Sequence, residues 1–98
     1  MTTSVTWRQG LELPHDPDDI TDIELDMTAI VGATDTLSST AITNVGVTGA
    51  ELSSTSAGVV TFRVSGGTVG ATSSVTVQIT MASGRKQSRT TKFNVLQR

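Results

Sequence analysis

The 98-residue sequence has no cysteine and no tyrosine, and it has one tryptophan, one histidine and two prolines. The absence of cysteine excludes disulfides and thiolate metal sites, so stability must come from packing and strand pairing. No apolar run approaches the roughly 18 residues that a membrane helix needs. The first ten residues lack the basic-then-apolar order of a signal peptide. We therefore expect one small domain that is soluble in the cell that makes it.

Threonine and serine are the abundant residues, with 18 and 11 copies. Threonine is β-branched and favours strands. The apolar residues recur at period two in several segments, whereas no segment has sustained helical periodicity. The composition and the pattern together predict an all-β protein.

A β-hairpin between Ser65 and Leu96 is the clearest predicted element. Its first strand alternates Val75, Val77, Ile79 and Met81 with polar residues. A turn at Ala82 to Arg85 follows, and the return strand places Thr91, Phe93 and Val95 on one face. Further strands are predicted at Asp22–Ala29, Thr36–Val47, Glu51–Thr55 and Val59–Val64. Ile42 interrupts the alternation in the second of these, and a β-bulge there would explain it.

Six or seven short strands at regular spacing favour an immunoglobulin-like two-sheet antiparallel β-sandwich, which we assign to residues 20–98. Residues 1–19 read as an extended N-terminal arm or leader, because Pro14 and Pro17 punctuate a segment with weak periodicity.

Charge is segregated along the chain, although the net charge is only −2. Eight of the nine acidic residues lie in the first 35 positions, and six of the seven basic residues lie from Arg63 onward. Opposite charges could face each other across neighbouring strands of one domain. Alternatively, the acidic end of one subunit could contact the basic end of the next, as in a ring.

No residue set predicts catalysis or metal binding. His15 is the only histidine, so a triad or a histidine metal site has no partner, and its neighbours place it on an exposed turn. The acidic cluster Asp16 to Asp22 lacks the spacing of a calcium loop, so a solvated turn is the simpler interpretation. We expect no enzyme activity, no catalytic residues, no metal and no cofactor.

Protein interfaces are the function class that remains. Trp7 and Leu11 could anchor on a neighbouring subunit, or Trp7 could pack back on its own domain. Asp22, Glu24 and Asp26 share one face of a predicted strand. Arg85, Lys86 and Arg89 surround the hairpin turn; without aromatic residues for base stacking they indicate a charged loop and edge strand, not a nucleic-acid site.

Five pieces of the sequence form a set of motifs: His15–Asp18, Ile23–Met27, Thr34–Thr40, Ser65–Thr72 and Thr80–Arg85. Taken together, these motifs resemble those of small structural proteins of tailed bacteriophages that are known as fiber-tail adaptor proteins. The resemblance covers about four-fifths of the chain and departs from the family at Ala41-Ile42, where members usually have a tryptophan.

This resemblance implies a virion structural protein, made in the bacterial cytoplasm, that docks between tail or neck and fiber components. Its partners would be other phage structural proteins, with no nucleic acid and no membrane, and it would form a homo-oligomer or a symmetric ring. One alternative is a capsid decoration (cement) protein bound on the phage shell. A second is a host-surface glycan-binding module, which the shortage of aromatic residues disfavours.

Overall fold

Eight β-strands and one short helix make up the protein in a computed structural model that describes residues 2–96. The order along the chain is β1 (Thr2–Thr6), β2 (Glu12–His15), β3 (Ile20–Asp26), α1 (Thr28–Val31), β4 (Leu37–Val45), β5 (Thr48–Ser54), β6 (Val59–Ser65), β7 (Thr72–Met81) and β8 (Lys86–Val95). This confirms the predicted all-β class.

The strands form two four-stranded sheets, with orders β1-β3-β6-β5 and β2-β8-β7-β4. The predicted β-hairpin is present as β7 and β8, which pair antiparallel with Val77 opposite Arg89. β1 runs parallel to β3 and β2 runs parallel to β8, whereas the other pairs are antiparallel. Each sheet therefore has one N-terminal strand at an edge.

One hydrophobic core receives side chains from both sheets. β3 and β6 contribute alternate residues such as Leu25 and Phe62, while β7 and β8 contribute residues such as Ile79 and Phe93. The predicted alternation in the hairpin is confirmed, because its apolar face is buried and the intervening side chains are more exposed. Because side chains alternate between the two faces of a strand, the apolar residues at period two lie on the inner face of each sheet.

The segment predicted as an N-terminal arm lies along both sheets. The Trp7 amide donates to the Asp26 carbonyl at 3.0 Å, and the Leu11 carbonyl accepts from the Lys92 amide at 3.1 Å. Leu11 is itself in the core. The structure consequently places residues 2–6 and 12–15 as edge strands. β2 pairs with β8 only from Lys92 to Val95, so Arg89 lies in the part of β8 that pairs with β7 alone.

Two local predictions also need correction. The strand predicted to reach Ala29 ends at Asp26, because the Asp26 carboxylate accepts hydrogen bonds from the amide and hydroxyl of Thr28 and starts a helical turn. The irregularity in β4 lies between Leu37 and Ser39, not at Ile42. Within residues 2–96, no helix is long and apolar enough to cross a membrane.

Gly46 connects the two sheets at a crowded turn, and it offers a direct test of the packing. Its φ is +75°, and a Cβ there would lie 2.7 Å from both the Ser73 hydroxyl and the Thr72 carbonyl oxygen. Gly66 has the same φ of +75°, but a Cβ there would have no neighbour within 4 Å. Comparing alanine substitutions at these two glycines therefore separates the effect of backbone strain from the effect of crowding.

We expect Gly66→Ala to lower the free energy of unfolding by about 1 to 2 kcal/mol through backbone strain alone. Gly46→Ala should add about 1 to 3 kcal/mol for the clash. Urea unfolding of the two purified variants measures the difference. Equal losses of stability would contradict the close approach at Gly46.

Candidate interaction surfaces at the two ends of the fold

The strands run between two ends, which we name after their most connected side chains. The Leu96 amide donates to the His15 carbonyl at one end, and the Ala82 amide donates to the Thr36 carbonyl at the other. The His15 end comprises residues 15–20, 44–48, 65–72 and 94–96. The Asp35 end comprises residues 7–10, 27–36, 55–58 and 81–86.

The Asp35 carboxylate is the centre of a polar network at its end. It accepts five hydrogen bonds, from the Ser83 hydroxyl at 2.6 Å and amide at 3.3 Å, the Thr36 amide at 2.9 Å, and the Arg85 Nε and Nη2 at 3.2 and 3.0 Å. The hydrogen bond from the Ser83 hydroxyl is the largest cause that lowers the pKa of Asp35, and together with the Thr36 and Arg85 bonds it brings that pKa to about 2.

This network joins the loop before β4 to the tip of the β7–β8 hairpin. Arg85 also donates from Nη2 to the Val31 carbonyl at 2.9 Å, so its guanidinium bridges three parts of the chain. The predicted interface residue Arg85 is thus engaged inside its own chain, whereas the adjacent Lys86 is exposed. Two of the motifs in the family resemblance, Thr34–Thr40 and Thr80–Arg85, meet here.

His15 makes the corresponding connection at the other end. Its Nε2–H donates to the Gly66 carbonyl at 3.0 Å, and its ring packs edge-on against Phe93 with centroids 6.2 Å apart. The side chain is 3% exposed, so the prediction of an exposed turn at His15 was wrong. The motifs His15–Asp18 and Ser65–Thr72 therefore also meet, at the opposite end from the first pair.

A cleft of about 410 Å³ lies beside His15, between the edge strands β1 and β2. Leu13, Ile20 and Ile23 supply apolar walls, and Asp19 supplies a carboxylate at the rim. Ile20 is the most exposed of the apolar residues that line the cleft.

The three acidic residues predicted as an interface share the outer face of β3, and each accepts a hydrogen bond within the chain. Asp22 binds Arg63 at 2.8 Å, and this hydrogen bond is the largest cause that lowers the Asp22 pKa. The Thr28 amide lowers the Asp26 pKa. Glu24 accepts from the Ser4 hydroxyl at 3.4 Å.

Trp7, between β1 and β2, contacts Arg89 of β8. The Trp7 indole N–H donates to the Thr90 carbonyl at 3.2 Å, and the Arg89 guanidinium carbon lies 5.1 Å from the ring centroid. Trp7 is half-buried against the core, as in the interpretation that it packs on its own domain. A role for Leu11 as an anchor on a neighbouring subunit would require this segment to leave the sheets.

The predicted site residues are thus distributed over four places: the outer face of β3, the Trp7–Arg89 pair, the hairpin tip, and the core, where Leu11 lies. Asp35, Ser83 and His15 are the functional candidates that sequence reasoning did not select, although each lies within or beside a quoted motif. Within residues 2–96, no group of three or more histidine, aspartate or glutamate residues is placed to hold a metal ion.

The low pKa of Asp35 predicts a specific acid sensitivity. Its pKa of about 2 in the folded chain lies below the ordinary value of 3.8, so the unfolded chain binds more protons between these values. The stability that Asp35 contributes is complete above about pH 4 and is lost as the pH falls through about 2.

We expect Asp35→Asn to unfold at lower urea concentration than the parent at pH 7, and the gap to narrow toward pH 2. Urea midpoints of both proteins measured from pH 7 to pH 2 test this. Asp19→Asn, at an exposed carboxylate of the other end, is the matched control. A gap for Asp35→Asn that stays constant with pH would contradict the network.

Comparison with known protein families gives a match, and the matched residues include parts of both ends of the fold. No curated protein matches the chain. A family model described as podophage GP4 fiber-tail adaptor protein gp77 matches residues 15–94, which include the motifs at the His15 end and at the Asp35 end. The chain belongs to this family of phage fiber-tail adaptor proteins.

Proposed function

We propose that this protein is a virion adaptor that docks between the tail and the fiber components of a podophage. The observation that carries the proposal is the family match over residues 15–94, which spans both ends of the fold. An adaptor needs two contact regions at a fixed separation. The two sheets supply that separation, because they share one core and their strands run from one end to the other.

The dimensions and the connections support a rigid spacer. The principal extents are 42 × 23 × 19 Å, so the molecule is elongated. Loops at each end are tied to a second loop or hairpin by side-chain hydrogen bonds, through His15 at one end and Asp35 at the other. Contact surfaces that are already fixed lose less conformational entropy on binding than mobile ones.

We further propose that the two sheets form an immunoglobulin-like sandwich. This interpretation is supported by the N-terminal segment, which contributes one edge strand to each sheet, and by β2, which runs parallel to the last strand. The parallel pairing of β1 with β3 is an unusual feature for such a domain.

We expect the protein to act by binding through complementary interfaces and not by catalysis, as the adaptor family implies. Among the residues predicted from sequence, Lys86 and Arg89 remain candidates for contacts with other virion proteins, together with the β3 carboxylates. A homo-oligomer or ring in the virion is also proposed, and contacts along the sides of the sheets would leave both ends available to partners.

The proposal predicts a specific assembly defect. A phage that lacks this gene product should form filled heads with tails that lack fibers, because the connection between them is missing. Electron microscopy of the particles measures fiber occupancy, and a plasmid copy of the gene supplies the control that restores it. Gold labelling of the tagged protein should mark the tail. Shell labelling, or normal fibers without the protein, would contradict the adaptor function.

A further inference from the structure

Exposed large apolar side chains gather at the His15 end. Among the described residues the most exposed are Ile20 at 70%, Val45 at 57%, Val69 at 49%, Leu52 at 46% and Leu96 at 41%. All of these except Leu52, which lies within β5, belong to the His15 end. Clusters of exposed apolar residues on a small protein commonly mark an interaction site.

Topology places these side chains at the same end of the fold, on four separate elements. Ile20 begins β3 opposite Ser65, and Val45 ends β4 opposite Ser74. Leu96 directly follows β8, and Val69 lies in the loop between β6 and β7. Since four different elements each present an apolar side chain at the same end, a single local sequence preference does not explain the cluster.

Val69 is presented at the tip of a fixed turn. The Ala71 amide donates to the Thr68 carbonyl at 3.0 Å, and Gly70 has a φ of +85°, which is the geometry of a type II β-turn with Val69 at its second position. Turns usually place polar residues or proline there. An apolar side chain held at this position is already oriented for contact.

A second fixed turn places negative charge next to Ile20. The Asp19 amide donates to the Asp16 carbonyl at 2.9 Å, and the Asp18 amide donates to the Asp16 carboxylate at 2.8 Å. Asp18 and Asp19 are exposed. The sequence ranges that make up the His15 end contain no lysine or arginine, so the exposed charges beside Ile20 are acidic.

These features argue against a second copy of the chain as the occupant. Two His15 ends face to face would oppose carboxylates to carboxylates, which costs binding energy. The Asp35 end exposes the cations Arg8 and Lys86 but none of the most exposed large apolar residues, so a head-to-tail copy would match the charge and leave Ile20 and Val69 against a polar surface. The occupant must supply both an apolar surface and positive charge.

We infer that the His15 end docks into an apolar hollow rimmed by lysine or arginine on a different virion protein. This inference rests on the proposed adaptor function and assigns one of its two contacts. Ile20 and Val69 enter the hollow, and Asp18 and Asp19 pair with the basic rim. The neighbouring cleft receives apolar side chains of the partner between Leu13 and Ile23.

The test uses virions of a phage that lacks the gene and is supplied with the full-length protein from a plasmid. We expect the double variant Ile20→Ser/Val69→Ser to lower the amount of protein per particle roughly tenfold, the effect typical of losing interface anchors. Asp18→Lys/Asp19→Lys should also lower it, by reversing the charge beside Ile20. Leu52→Ser is the matched control, an exposed leucine outside the cluster, and should incorporate like the parent. Urea unfolding of each purified variant verifies that folding is retained, as expected for exposed positions.

Four outcomes decide the inference. Loss of incorporation for both double variants, with Leu52→Ser unaffected, supports it. Normal incorporation of Ile20→Ser/Val69→Ser overturns it and leaves the adaptor function standing, since the parent protein is still on the particle. Absence of the parent protein from virions overturns the adaptor function as well. Purified parent that sediments as an oligomer, and as a monomer after Ile20→Ser/Val69→Ser, also overturns it, because a second copy then occupies the cluster.

Discussion

Burial of the two inner sheet faces against each other is the interaction on which the rest of this structure depends. The chain has no disulfide and only three aromatic residues, so aliphatic side chains such as Leu25, Val60 and Ile79 supply most of the core, with Phe62 as its largest buried side chain. Such a core requires both sheets at once, because neither could cover its apolar face alone. The loops at the two ends are therefore held relative to each other by the core, without direct contact between them.

The fold joins acidic residues from the start of the sequence to basic residues from its later part in two ion pairs. Asp22 and Asp35 come from the acidic first 35 residues, and their partners Arg63 and Arg85 come from the basic part of the chain that begins at Arg63. Antiparallel pairing of β3 with β6 sets one pair, and the approach of the hairpin tip to the loop before β4 sets the other. Exposed pairs of this kind contribute little stability individually. The Asp35 pair differs because Ser83 and backbone amides share the same carboxylate, so its loss would release a loop as well as a charge.

The hairpin and β3 were predictable because strand pleating leaves a period-two signature in Val75 to Met81 and in Ile23 and Leu25. The edge strands were missed, although Leu11, Leu13 and His15 also recur at period two, because Pro14 argues against a strand. Proline is tolerated on an edge, where its missing N–H need not pair. The Asp35 network had no local signal, since its partners lie 48 and 50 positions away. Only the fold brings them together.

The proposed role, joining two different proteins, requires that the two contacts are not exchanged, and the two ends of this molecule differ in charge and in exposed apolar side chains. At the Asp35 end, the Asp35 carboxylate accepts five hydrogen bonds within the chain, and Lys86 is exposed to solvent. At the His15 end, two tight turns hold Val69 outward and acids beside Ile20. A partner shaped for one end would place its apolar or basic groups against the wrong surface at the other. Orientation in the assembly can thus be set by the chemistry of the loops, while the sheets keep the distance between them constant.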